Sequence, residues 1–406
     1  MRYLPIIFGL CSVVAGDDCQ DVCASYVEGC RGSRCEGGKC TGLTGLTCAQ
    51  AAEMLGKAAA GGRVGAIGPG AVGIRNIGST CYLNSMLQIF AHSAPMLEFF
   101  VNLRDNRRVD ELGEVDRQFI DSLQLILANM YTGVGIDNDR GLLTVLRDTL
   151  RLYADGGDLF LPDVESDVGE AVPKVLETLS RISASIAGPS TDTVFGFTEV
   201  SERRCIETGV VGSTREPSNI LFAEFGGATA RNPLVAINLM EVFGSSRVPE
   251  RVEGIEDCGR GPAEIRRVIV GEGPQTLVIG LKRFEFDMAT LANRKIEKLV
   301  TIPAKFDLAT LPLTREAVGT YKLIGIVHHI GATIGGGHYT SEILNVVGER
   351  IQARRPDGSL VTDAAGAPVM TADRKWFNAN DAVITQIDGP TLTSQTGYMF
   401  VYERID

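Results

Sequence analysis

The stretch that decides the reading of this chain is GIRNIGSTCYLNSMLQIF, residues 73–90. Leu83, Met86, Leu87 and Phe90 recur at spacings of three to four, which predicts an amphipathic helix from Cys81 to about Leu103. The glycine and small polar residues before Cys81 read as a turn, so the sulfur sits at a helix N-terminus. Backbone N–H groups and the helix dipole there favour a thiolate and lower a thiol pKa from its usual ~8.5. Asn76, five residues upstream, offers a side-chain NH2 that suits a developing oxyanion. Taken alone, these residues also fit a structural cysteine beside a capping asparagine.

A nucleophilic thiol needs a base, and the chain has four histidines. His92 lies three helical turns beyond Cys81, too far along the helix to reach back. His328 and His329 are strand neighbours and point to opposite faces. His338 follows Gly335-Gly336-Gly337 and opens a strand, and glycines allow a close backbone approach by a ligand. It is the preferred base, although a histidine at a strand start also fits an ordinary surface position. Asn380 and Asp381 follow Trp376, the single tryptophan, and either could orient an imidazole. Adjacent Asn and Asp also simply form turns.

Outward from these segments, helical spacing recurs over 115–130, 140–153 and 167–185, the last interrupted at Pro173. After about residue 190 the text changes to short strand-like runs at 194–200, 219–225, 234–240, 276–286, 321–330, 338–344 and 398–404. Helices first and strands later predict an α+β protein. No period of 20–50 residues repeats.

The order of these motifs resembles the ubiquitin-specific protease family. Gly73 to Ser85 is similar to that family's Cys box, with Ser79 where Asn is usual. Tyr321, Leu323, Ile326, His329, Gly331, Gly336, Gly337, His338 and Tyr339 match its His box. TLVIGLKRFEFD (276–287), the segment from Lys295 to Leu308 and the closing GYMFVYER (397–404) match three further family segments. The resemblance covers residues 73–404. It implies a papain-like cysteine protease core with a helical thumb, an antiparallel β palm and β fingers. It also implies hydrolysis of the isopeptide or peptide bond after the C-terminal Gly-Gly of ubiquitin or a ubiquitin-like protein.

By the same resemblance Cys81 is the nucleophile, His338 the base, Asn380 with Asp381 the third position, and Asn76 the oxyanion donor. Asp167 and Glu170 match positions that grip the substrate's basic tail, with Ser166 and Ala171 departing from the pattern. Gly336, Gly337 and Tyr339 line the tail's path. Family members often bind zinc in the fingers through two Cys-x-x-Cys pairs. Only Cys205 and Cys258 are present there, too few for a four-ligand site, so the fingers are expected to be metal-free and bridged by one disulfide. No cofactor is expected. A silent ubiquitin-binding member and a secreted papain-like endoprotease are the alternative readings.

The N-terminus reads differently. Residues 1–16 carry one positive charge, an apolar run and small residues at the end, as in a secretory signal segment; the run is too short for a membrane span. Cys19, Cys23, Cys30, Cys35, Cys40 and Cys48 follow in residues 17–58, a module expected to be disulfide-linked. A Gly-rich linker over 59–72 leads to the catalytic domain, 73–406. Secretion is the location this implies; cytoplasm or nucleus follows if the segment is no signal. Apolar residues at 44% supply a sizeable core, and a net charge of -11 without basic runs argues against nucleic acid as a partner.

Overall fold

The computed structural model describes residues 66–68, 70–132, 141–154, 157, 159–225, 235–245, 249–287, 292–311, 314–333, 336–347, 349–352, 359, 362, 368 and 370–406. The stretches expected as a signal segment and a cysteine-rich module lie outside them, apart from the backbone of the antiparallel pair Cys35–Glu36 and Lys39–Cys40. The chain divides into two compact units. One comprises Met1–Val164, Ile182–Pro189 and Thr340–Pro390; the other comprises Glu165–Arg181, Ser190–Tyr339 and Thr391–Asp406.

The first unit is mainly helical. Helix α1, Cys81–His92, is buried along its whole length. The helix expected to run on to Leu103 breaks at Ser93, which is extended and caps α2, Ala94–Arg104, by accepting from the Met96 amide. Pro95 in the first turn of α2 lacks the N–H that a continuous helix would need. Helix α3, Glu114–Thr132, turns Phe119, Ile120, Leu123, Ile126 and Met130 inward. It packs on α4, Leu142–Tyr153, which buries Leu142, Leu143, Leu146 and Leu150. The spacing is that of one helical face, and burial of each side chain contributes roughly 1.5–3 kcal/mol.

The last residues of the stretch expected as a linker include two short strands. Ala66–Gly68 and Ala71–Val72 form a small antiparallel pair, and the Val72 carbonyl accepts from Gln88 of α1 at 2.7 Å. Helix α5, Val168–Ser185, also departs from expectation, because Pro173 lies inside it without interrupting it. Pro173 costs one backbone hydrogen bond near the start of the helix, while Val168, Ala171, Val172, Val175, Leu176, Leu179 and Ile182 are all buried.

The second unit is mainly sheet. Leu221–Glu224, Thr276–Lys282, Gly397–Arg404 and Thr320–Thr333 lie side by side in that order, and Lys305–Asp307 pairs with the last. Thr276–Lys282 and Gly397–Arg404 are buried on both faces, as their unbroken apolar text requires. The run expected at 276–286 splits at Arg283. Its side chain turns inward, fully buried, and donates to the carbonyls of Gly397, Ile296, Lys298 and Ser394. Burial lowers its pKa to about 10, so it stays charged at neutral pH inside a cage of carbonyl dipoles.

Among the described residues of the run expected at 234–240, Ile237–Asn238 is the strand. Asn238 then caps the helix Leu239–Ser245 by accepting from the Met240 amide at 2.8 Å. A further sheet consists of Phe197–Cys205, Val211–Ser218, Glu250–Ile255, Gly261–Glu272 and Thr314–Val318. At one end of it Cys205 and Cys258 form a disulfide packed on Ala263, with Cα atoms 5.4 Å apart. Among the described residues, no helix is long and apolar enough to cross a membrane.

His92 closes α1 as a buried imidazole that accepts from the Val346 amide. Burial, reinforced by the Arg374 guanidinium, holds its pKa down to about 3. The unfolded chain binds this proton near pH 6.5 and the native state does not, so stability present above 6.5 is lost as pH falls towards 3. The wild type should therefore lose about 1.4 kcal/mol per pH unit below 6.5 relative to His92→Gln. Urea denaturation of both proteins at pH 7.0 and 4.5 checks this; a constant difference between them would show that His92 does not titrate this way.

Candidate active site

The first unit holds a turn, a helix start and a hairpin. In the turn, the Asn76 Oδ1 accepts from the Gly78 amide, the Thr80 amide and the Thr80 hydroxyl. Gly78 and Ser79 take left-handed φ angles of 104° and 50°. That conformation favours Gly and Asn, and the family's usual Asn at the second position would suit it better than Ser79 does. Thr80 precedes the helix without capping it through its side chain, because its hydroxyl is engaged with Asn76 and the Ile77 amide. Cys81 is the first helical residue, a thiol rather than half of a disulfide, and only 2% exposed.

The hairpin joins Trp376–Asn380 to Val383–Ile387 through Asp381, whose φ is 48°. Asp381 accepts from the Asn76 amide at 3.0 Å through one oxygen and from the Asn84 amide at 2.7 Å through the other. Its carbonyl also accepts from the Ile74 N–H at 2.8 Å. Gly73 lies against this turn, and a Cβ there would stand 2.3 Å from the Ala382 carbonyl oxygen. The structure thus brings Asn76 and Asp381 together, and Asn380, exposed, precedes Asp381 in sequence. The Asn76 NH2 uses one hydrogen on Asp381 and keeps a second.

The second unit holds His338, half-exposed, on Gly336–Leu344. Gly337 is exposed, yet a Cβ on it would lie 2.6 Å from the His329 Nε2. The glycine is needed because the chain's own imidazole occupies that side. His329 is fully buried, and Lys295 Nζ lies 3.0 Å from its Nδ1. His328 is also buried, 3.0 Å from the Thr396 hydroxyl.

Tyr339 is 1% exposed and packs its ring against those of His329 and Tyr398. Asp167 is half-buried and accepts from the Tyr398 hydroxyl at 2.5 Å and the Gly169 amide at 2.6 Å. Burial raises its pKa, and these donors work against the rise. Glu170 is exposed at the start of α5; burial, then repulsion from Asp167, raises its pKa. Sequence reasoning missed Asn84, Glu165, Lys295 and Tyr398. Asn84 was the most accessible of these, one helical turn after Cys81.

A profile of ubiquitin carboxyl-terminal hydrolases matches residues 72–402. The chain belongs to this family. It is 24% identical over 340 residues to ubiquitin carboxyl-terminal hydrolase 20 of Arabidopsis thaliana, covering 82% of this chain and 43% of that protein. Against human ubiquitin carboxyl-terminal hydrolase 3 the identity is 22%, covering 82% and 68%. The chain thus spans less than half of the Arabidopsis hydrolase. A chain of the SAGA Ubp8/Sgf11/Sus1/Sgf73 DUB module bound to monoubiquitin matches with a TM-score of 0.62 and 20% identity, covering 83% of this chain and 70% of that one. The same module bound to ubiquitin aldehyde matches at 0.60 and 19%, covering 87% and 74%. The fold is the α+β, papain-like fold of ubiquitin-specific hydrolases.

Asp381→Asn separates charge and acceptor count from backbone fit, since Asn also tolerates a left-handed φ. Its amide presents one acceptor to two donors, so stability should fall by about 1–3 kcal/mol. Chemical denaturation measures this, and an unchanged midpoint would contradict the bracket.

Proposed function

We propose that this hydrolase-family chain is a thiol-dependent deubiquitinase that cleaves after the C-terminal Gly-Gly of ubiquitin or a ubiquitin-like protein. The observation that carries the proposal is the Asn76–Asp381–Asn84 bracket at the start of the helix that begins with Cys81. In this reading His338 takes the Cys81 proton and the thiolate attacks the terminal glycine carbonyl. The electron pair moves to oxygen, where the second Asn76 hydrogen and backbone N–H groups stabilise it. Collapse expels the lysine amine, which His338 protonates. Water, deprotonated by His338, then hydrolyses the thioester and returns the thiol.

Both Asp381 oxygens are engaged by amides, so we assign the orienting role to Asn380 and give Asp381 the task of holding Asn76. Asp167 and Glu170 are the carboxylates proposed for a basic tail, and Gly336 and Gly337 the narrow path for its two glycines. Export directed by residues 1–16 belongs to the same proposal. It predicts that a tagged protein reaches the medium only when that segment is present.

The test is cleavage of ubiquitin bearing a C-terminal fluorophore. Cys81→Ala and His338→Ala should abolish it, and Asn76→Ala should lower kcat about 100-fold, the scale of losing one oxyanion donor. Folded wild type that binds ubiquitin without cleaving it would contradict the proposal in favour of a silent binder. Cleavage of casein but not of ubiquitin would favour an endoprotease.

A further inference from the structure

We infer that Lys295, the buried His329 and Glu165 form a relay that fixes the Gly337–His338 peptide, making Glu165 a positioning residue for the imidazole of His338. The role of that imidazole as a base rests on the function proposed above; the relay itself does not.

The chain of contacts begins at Lys295. Its Nζ lies 3.0 Å from His329 Nδ1, 2.8 Å from the His329 carbonyl and 2.6 Å from the Gly331 carbonyl. Three acceptors around one nitrogen match the three protons of an ammonium group; a neutral amine has only two. An ammonium donating to Nδ1 makes that nitrogen an acceptor, so the neutral ring carries its proton on Nε2. The tautomer follows from these partners.

Nε2 faces Glu165 Oε1 at 3.5 Å, longer than a hydrogen bond, and both atoms are buried with no hydrogen-bond partner. They are complementary only when the ring proton is on Nε2 and the carboxyl group is ionised. The other Glu165 oxygen accepts from the Gly337 N–H at 2.7 Å. The same glycine lies directly against the ring, since a Cβ on it would meet Nε2. Gly337 is therefore held on one side by packing on His329 and on the other by a carboxylate that His329 faces. His338 is the next residue.

Solvation alone does not call for this arrangement. Gly337 is exposed, and water would satisfy its N–H about as well. What a carboxylate from 172 residues away adds is a fixed direction for the peptide. Asp167 also interacts electrostatically with His329 and is already engaged by Tyr398 and Gly169. The rings of Phe284, Tyr339 and Tyr398 surround the imidazole.

Two readouts on the full chain test the relay, with Glu165→Ala and the volume-matched Glu165→Gln. Hydrogen exchange at Gly337 should quicken roughly tenfold or more in Glu165→Ala, with other segments unchanged. The pH profile of Cys81 alkylation by iodoacetamide should shift upward by about one unit in both variants, towards the profile of His338→Ala. In Glu165→Gln the amide cannot accept from both Gly337 and the ring N–H, so it should not restore the wild-type profile.

Unchanged exchange in Glu165→Ala would overturn the relay. Faster exchange with a wild-type alkylation profile would overturn its positioning role. If wild type and His338→Ala alkylate alike, the pairing of Cys81 with His338 fails, and with it any positioning of a base. That control separates the two failures.

Discussion

A single carboxylate, Asp381, takes the amides of two asparagines that lie 305 and 297 residues away in sequence. The rest of the first unit's chemistry depends on it. With both oxygens occupied, Asp381 fixes Asn76, and Asn76 in turn organises the turn through Gly78 and Thr80. The turn sets where the helix begins, and the helix begins at the thiol. A left-handed residue at the tip of the hairpin and a glycine with no room for a Cβ at Gly73 are the local strains that this arrangement accepts.

The second unit solves a similar problem with a different acceptor. Glu165 receives one backbone N–H and faces one ring nitrogen, while Lys295 saturates the carbonyls and the ring nitrogen on the far side. Arg283 shows the same rule in the core, where four carbonyls accept from its guanidinium. In each case a buried polar group has its donors or acceptors aimed by residues distant in sequence. A buried polar group without such partners costs about 1–3 kcal/mol, so these networks are specified narrowly.

Much of this was legible in the sequence, for identifiable reasons. Helical spacing located α1, α3 and α4, because one apolar face is enough to define each of them. Continuous apolar text located Thr276–Lys282, Thr320–Thr333 and Gly397–Arg404, which are buried on both faces or nearly so. Val211–Ser218 and Glu250–Ile255 were missed, since their side chains are mostly exposed and their strand character comes from pairing with neighbours. Pro217 near the end of the first is tolerated because that strand lies at the sheet edge. Motif order named Asn76, Cys81, His338 and Asp381. It did not reveal that Asp381 holds Asn76, that Tyr339 is buried in a ring cluster, or that Glu165 reaches Gly337, because those partners are set by the fold rather than by spacing.

The central claim is that Cys81 is the residue that attacks the carbonyl at the end of ubiquitin. It is tested most directly with ubiquitin carrying a C-terminal electrophile, followed by peptide mass spectrometry of the adduct. The account predicts one covalent adduct, on Cys81, that is absent from Cys81→Ala and weakened in Asn76→Ala. A folded chain that forms no adduct, or forms it on another cysteine, would contradict it.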